Sequence, residues 1–104
     1  TTYNYGGAVI VDIKHGTNKF YFGDDPQNPD GELTYLPDDM NKLVIDSVVV
    51  NKDLRGQGLG DVLLDAAADY ARENNKKLVG ECPFVAKRFD EFPEKYKDVI
   101  FAEA

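Results

Sequence analysis

The sequence is poor in the residues that usually advertise chemistry: 104 residues carry one cysteine, Cys82, and one histidine, His15. A lone cysteine excludes an internal disulfide and suits a reducing cytosol. His15 falls in a hairpin turn, where a solvent-exposed loop role is expected, and nothing else supplies a catalytic histidine or a zinc cluster, so no metal is expected. Positive charge is also scarce. Against 19 Asp+Glu stand 12 Lys+Arg, a formal charge of −7. A duplex or an anionic membrane surface would repel such a chain, so neither nucleic acid nor membrane is expected as a partner, whereas a cationic or amine-bearing molecule would be drawn in. Apolar runs fall far short of the roughly 20 residues that span a bilayer, and no charged start with a hydrophobic core and small-residue cleavage site is seen. A cytoplasmic protein is the expectation. Length allows one domain, residues 1–104, able to bury roughly two-thirds of its unfolded surface, with residues 1–7 set aside from the functional reading. The acidic segment 24–32 invites a calcium reading, but an EF-hand register with Gly31 at position six puts Pro26 at position one and Pro37 at position twelve. A solvated loop is expected there.

What is present begins with β-branched and aromatic runs. Residues 8–13 and 19–22 flank His15-Gly16-Thr17-Asn18 and predict a hairpin; residues 32–36 alternate as a third strand. Residues 43–50 form the most apolar run and predict a fourth strand near the sheet centre. Leu59, Val62, Leu63, Ala66, Ala67, Tyr70 and Ala71 recur at spacings of three and four, which predicts an amphipathic helix. Asn74-Asn75 suits a left-handed C-cap, and residues 77–82 read as a fifth strand. A right-handed crossover through one helix sets the fourth and fifth strands parallel. Pro83 opens a shorter helix that Pro93 interrupts or ends. Phe84, Phe89, Phe92 and Tyr96 read as core and rim packing.

Between the fourth strand and the long helix lies Arg55-Gly56-Gln57-Gly58-Leu59-Gly60. A strand running through a glycine turn into a helix leaves several N–H groups unpaired at the positive end of the helix dipole, an anion cradle. It is not a nucleotide-hydrolase phosphate loop, because Asp61-Val62 stands where Lys and Ser or Thr are needed. A dinucleotide fingerprint fails as well, since Asp61 takes the place of the third glycine. The match is Arg55-x-x-Gly58-x-Gly60, which resembles the pyrophosphate signature of the GNAT acyltransferase superfamily. Gly31-Glu32-Leu33-Thr34-Tyr35, Val44-Ile45-Asp46 and Cys82-Pro83-Phe84-Val85-Ala86 extend the resemblance over residues 13–100, to the small single-domain GNAT-like N-acetyltransferases.

The resemblance implies an α/β fold with a mixed, mostly antiparallel sheet, its fourth and fifth strands parallel and splayed, one long helix and a shorter C-terminal one. It implies acetyl-coenzyme A as cosubstrate and an amine acceptor, on a small molecule or a protein, that the sequence does not name and that the acidic surface makes preferentially cationic. The pyrophosphate would lie on Arg55, Gly56, Gln57, Gly58, Leu59, Gly60 and Asp61, pantetheine against Val48, Val49 and Val50, and Cys82, Pro83 and Phe84 on the opposite wall. The thioester would end near Cys82 and Asp46-Ser47-Val48. Cys82, Ser47 and Asp46 are the catalytic candidates. At a helix N-cap Cys82 would gain thiolate character and could carry an acetyl group, while the alternative is a small apolar residue closing the core. The family often has His where this chain has Ser47, which cannot take a proton at neutral pH, so a base would be Asp46, Glu81, water or none. Two other readings follow: a coenzyme A-binding module without turnover, and a protein acetylated on its own Cys82.

Overall fold

Alternating side chains set the sheet. Along Gly31–Tyr35 every second residue is buried, and Leu33 and Ile45 on neighbouring strands are fully buried at 0% exposure, so one face must be covered. The cover is the helix Leu59–Glu73, α1, whose Leu63, Leu64, Ala67 and Ala71 pack into the same core. Truncating a buried leucine such as Leu63 to alanine would cost about 2–5 kcal/mol. The computed structural model describes the backbone of residues 2–5, 9–36, 41–54, 56 and 58–101, and side chains from residue 11 onward within those spans.

The strands are β1 (Thr2–Tyr5), β2 (Val9–Asp12), β3 (Lys14–Gly16), β4 (Lys19–Phe22), β5 (Gly31–Tyr35), β6 (Lys42–Val50) and β7 (Lys77–Gly80). They form a two-stranded sheet, β1-β2, and a five-stranded sheet ordered β3-β4-β5-β6-β7. The large sheet is antiparallel except for β6 and β7, which run parallel. After β7 come α2 (Pro83–Glu91) and α3 (Pro93–Tyr96). The parallel pair, the long helix and the break at Pro93 agree with the sequence reading.

Three features differ from it. Residues 9–12 pair with Thr2–Tyr5, not with Lys19–Phe22; the hairpin partner of β4 is the short β3, joined by a turn at Thr17-Asn18. His15 therefore lies on β3 rather than in the turn. Its ring stacks on Phe20 at 4.3 Å, meets Tyr70 edge-on at 4.7 Å, and its Nε2 shares a 2.6 Å hydrogen bond with the Tyr35 hydroxyl. The residue is exposed, as the sequence suggests, but partial shelter of the ring lowers its pKa, which favours the neutral form. Finally, β7 ends at Gly80: the amides of Glu81 and Cys82 both donate to the Ile45 carbonyl, at 3.0 and 3.2 Å, and the chain turns into α2.

At the end of α3, Tyr96 is buried and its hydroxyl donates to Asp65 Oδ1 at 2.9 Å, tying the segment to α1. The chain then returns to β7: Leu78 N donates to Val99 O and Phe101 N to Leu78 O. At the end of α1, Asn75 is left-handed (φ 57) and Lys76 N donates to Ala71 O at 2.9 Å, the anticipated C-cap.

Candidate acyl-carrier cleft

The site begins with one extra residue in β6. Tyr35 is paired with Ile45 but Thr34 with Ser47, so Asp46 is a bulge. A bulge shifts the alternation by one: Leu43 and Ile45 point into the core before it, and Val48 and Val50 are partly buried against that core after it. The β6-β7 ladder stops at Ile45 and Gly80, on the near side of the bulge. Beyond it, residues 47–50 pair with β5 alone, from Ser47 opposite Thr34 to Val50 opposite Gly31. The two parallel strands thus part, and a length of β6 edge is left open toward α2.

The open edge meets the start of α1. A turn of 3-10 helix, Lys52–Leu54, leads into Gly56 and Gly58, whose φ values of +84° and +81° lie in the left-handed region. Gly58 is the N-cap, so no side chain covers the first amides, and the helical ladder starts with Val62 N donating to Gly58 O at 3.2 Å. The N–H groups of Leu59, Gly60 and Asp61 precede that bond and have no acceptor among the described residues.

Here lies a cleft of about 350 Å³. Val48, Val50, Leu54 and Leu59 make an aliphatic wall, Gly56 and Gly58 a bare floor, and Gly60, Asp61, Phe84 and Arg88 the opposite rim. A β-carbon on Gly56 or Gly58 would meet nothing within 4 Å, so these glycines leave space rather than fill it. Anion-seeking amides beside an apolar slot suit a molecule with a phosphate head and a slender, uncharged arm.

Of the residues singled out from sequence, Val48, Val50, Gly56, Gly58, Leu59, Gly60, Asp61 and Phe84 line this cleft. Val49 does not; it is 56% exposed, turned away by the shifted alternation, although its backbone belongs to the open edge. Arg55 and Gln57 lie outside the described residues. Cys82 is buried in the core at the N-cap of α2, with its carbonyl accepting from Ala86 N at 3.0 Å, and Pro83 is exposed; neither lines the cleft. Asp46 is exposed and its Oδ1 accepts from Thr34 Oγ1 at 2.7 Å, with Ser47 half-buried beside it. Glu81 is exposed where the strands part.

Leu54 and Arg88 were not foreseen as lining. Arg88 had a signal, since it stands four residues after Phe84 and so shares its helix face. Its guanidinium lies over the Phe84 ring, 5.1 Å from the centroid, with Nε 2.8 Å from Asp61 Oδ1.

The sequence profile of the GCN5-related N-acetyl-transferase family matches residues 19–99, which take in the five-stranded sheet from β4 onward, the cleft and all three helices. This chain belongs to that family. A GCN5-like N-acetyltransferase candidate from Staphylococcus aureus, solved in solution, is 44% identical and superposes with a TM-score of 0.70 over 90% of this chain and 91% of its own. A GNAT family acetyltransferase from Elizabethkingia anophelis, crystallised with acetyl-CoA bound, shares the fold at a TM-score of 0.53 and 18% identity, over 73% of this chain and 50% of its own. Among curated proteins none matches significantly. The chain is thus a GNAT acetyltransferase by family and by fold. No helix among the described residues is long and apolar enough to cross a membrane.

Proposed function

We propose that this acetyltransferase uses acetyl-coenzyme A to acetylate an exposed, cationic amine. The observation that carries the reading is the uncapped start of α1 opening on the cleft beside the unpaired edge of β6. The amides of Leu59, Gly60 and Asp61, with Arg55 and Gln57 of the motif, hold the diphosphate, and the bare floor at Gly56 and Gly58 lets it approach the backbone. The backbone of Val48, Val49 and Val50 receives the pantetheine arm as an added strand, with Phe84 across the slot and Cys82 and Pro83 behind it. This directs the thioester toward the bulge at Asp46 and Ser47.

The chemistry required of the protein is modest. The cationic amine first gives up a proton; its neutral nitrogen then attacks the thioester carbon and loses a second proton, while the C–S bond breaks and the sulfur leaves with its electron pair and takes up one proton. Fixing the thioester beside the acceptor supplies most of the advantage, and a β6 amide can stabilise the developing oxyanion. Asp46 and Glu81 are the exposed carboxylates at that end and the candidate proton acceptors, directly or through water. Ser47 serves as a polar neighbour.

A second reading, a carrier-binding module without turnover, draws on Ser47 standing where the family often has histidine. The third, acetylation of Cys82 itself, asks for an accessible thiol, and Cys82 is 8% exposed within the core. Titration calorimetry with coenzyme A tests the shared premise, with Gly58→Val, which places a branched side chain in the open space at φ +81°, expected to abolish binding. Mass spectrometry after incubation with acetyl-coenzyme A and a polyamine or lysine-peptide pool then separates the readings. Acetylated amine, retained in Cys82→Ala, is the expected result; bound carrier with no acetylated product would leave only the module, and a stable acetyl on the protein lost in Cys82→Ala would favour the third.

A further inference from the structure

We infer that Arg88 is a phosphate-recognition residue of the cleft that offsets the charge of Asp61, and that it makes the site prefer phosphorylated carriers over phosphate-free ones. The inference rests on the proposed carrier reading and extends it to a residue outside the glycine motif. Asp61 occupies the third position of α1, where a carboxylate complements the helix dipole but faces the same space as the unpaired amides. A bare carboxylate there would repel a diphosphate. Arg88 offsets it from the facing helix, with Nε 2.8 Å from Asp61 Oδ1.

The geometry of that contact is incomplete. Despite the short distance, the buried Nε of Arg88 makes no aligned hydrogen bond. Nη1 donates to Glu91 at 2.9 Å, and Nη2 has no acceptor among the described residues. Meanwhile the guanidinium is steered by aromatic faces, 5.1 Å from the Phe84 centroid and 5.9 Å from that of Phe92. A planar cation with donors to spare, oriented by rings and standing across the slot from a helix N-terminus, is the arrangement that binds phosphate oxygens by two parallel N–H bonds. An incoming phosphate accepts from the guanidinium donors that Asp61 leaves unsatisfied.

Calorimetric titration of the intact protein with coenzyme A and, separately, with phosphate-free pantetheine tests this. Arg88→Gln is expected to weaken coenzyme A by about tenfold or more, the range for losing a charge-assisted bond, while changing pantetheine less than about twofold. Arg88→Lys, which keeps charge but not the fork, should fall between, and Asp61→Asn should bind coenzyme A at least as tightly as the unmodified chain. Equal losses for both ligands in Arg88→Gln, or an Asp61→Asn loss as large as that of Arg88→Gln, would overturn the proposal by showing a purely structural clamp. If the unmodified chain takes up no coenzyme A, the carrier reading itself fails, a result distinct from either. Thermal melting of each variant verifies that the fold is retained.

Discussion

Gly60 lies directly beneath the edge of Phe84: a β-carbon built on it would stand 2.9 Å from Phe84 Cζ, closer than real side chains approach. The glycine is therefore there for the ring rather than for an unusual backbone, since among the α1 and turn glycines only Gly56 and Gly58 have positive φ.

Gly60→Ala should displace the Phe84 ring into the cleft. Helix propensity gains about 1 kcal/mol from the change, which offsets much of the crowding, so the melting temperature should stay within a few degrees. Affinity for coenzyme A should drop about tenfold, equivalent to about 1.4 kcal/mol. Calorimetry on Gly60→Ala and on Gly60→Ala with Phe84→Leu checks this, because the smaller side chain should restore part of the loss.

The same pair shows what sequence could and could not reveal. The glycines, α1 and the parallel β6 and β7 were legible because each rests on a local pattern: turn residues, a spacing of three and four, a crossover through one helix. The bulge was not. One additional residue, Asp46, moves Val48 and Val50 to the core side and Val49 to solvent, and composition carries no trace of it beyond a carboxylate inside an apolar run. A pairing between distant segments was equally hidden, Val99–Ile100 against Leu78, while the short hairpin of β1 and β2 went unread because residues 1–7 were set aside. His15 was misplaced because a Gly16-Thr17-Asn18 run reads as turn, although Gly16 still pairs with Lys19.

Tyr96→Phe probes the link between α1 and the C-terminal segment. Asp65 loses the 2.9 Å bond from the Tyr96 hydroxyl but keeps Lys95 Nζ at 2.9 Å, so the loss should be about 1 kcal/mol, or roughly 4–8 °C in melting temperature. Burial, reinforced by Asp65, raises the Tyr96 pKa, so the hydroxyl remains a donor across the working range. Urea unfolding measures the cost, and coenzyme A binding should be unchanged because Tyr96 does not line the cleft.

His15 gives a pH dependence with a definite sign. Its pKa is lowered in the folded chain from the ordinary 6.5, so the unfolded chain binds the proton more readily. The contribution to stability is complete above pH 6.5, falls as pH drops below that value toward the folded pKa, and levels off beneath it. His15→Gln should remove this slope from denaturant midpoints between pH 7.5 and 5, a window in which carboxylate titration is still small near its upper end.

The return of the last described residues to Leu78 has a bearing on solubility. By occupying the outer flank of β7, Val99 and Phe101 deny it to a strand from another molecule. Clipping the polypeptide ahead of Val99 would unmask that flank and invite copies of the protein to zip together, making the tail a guard against self-association.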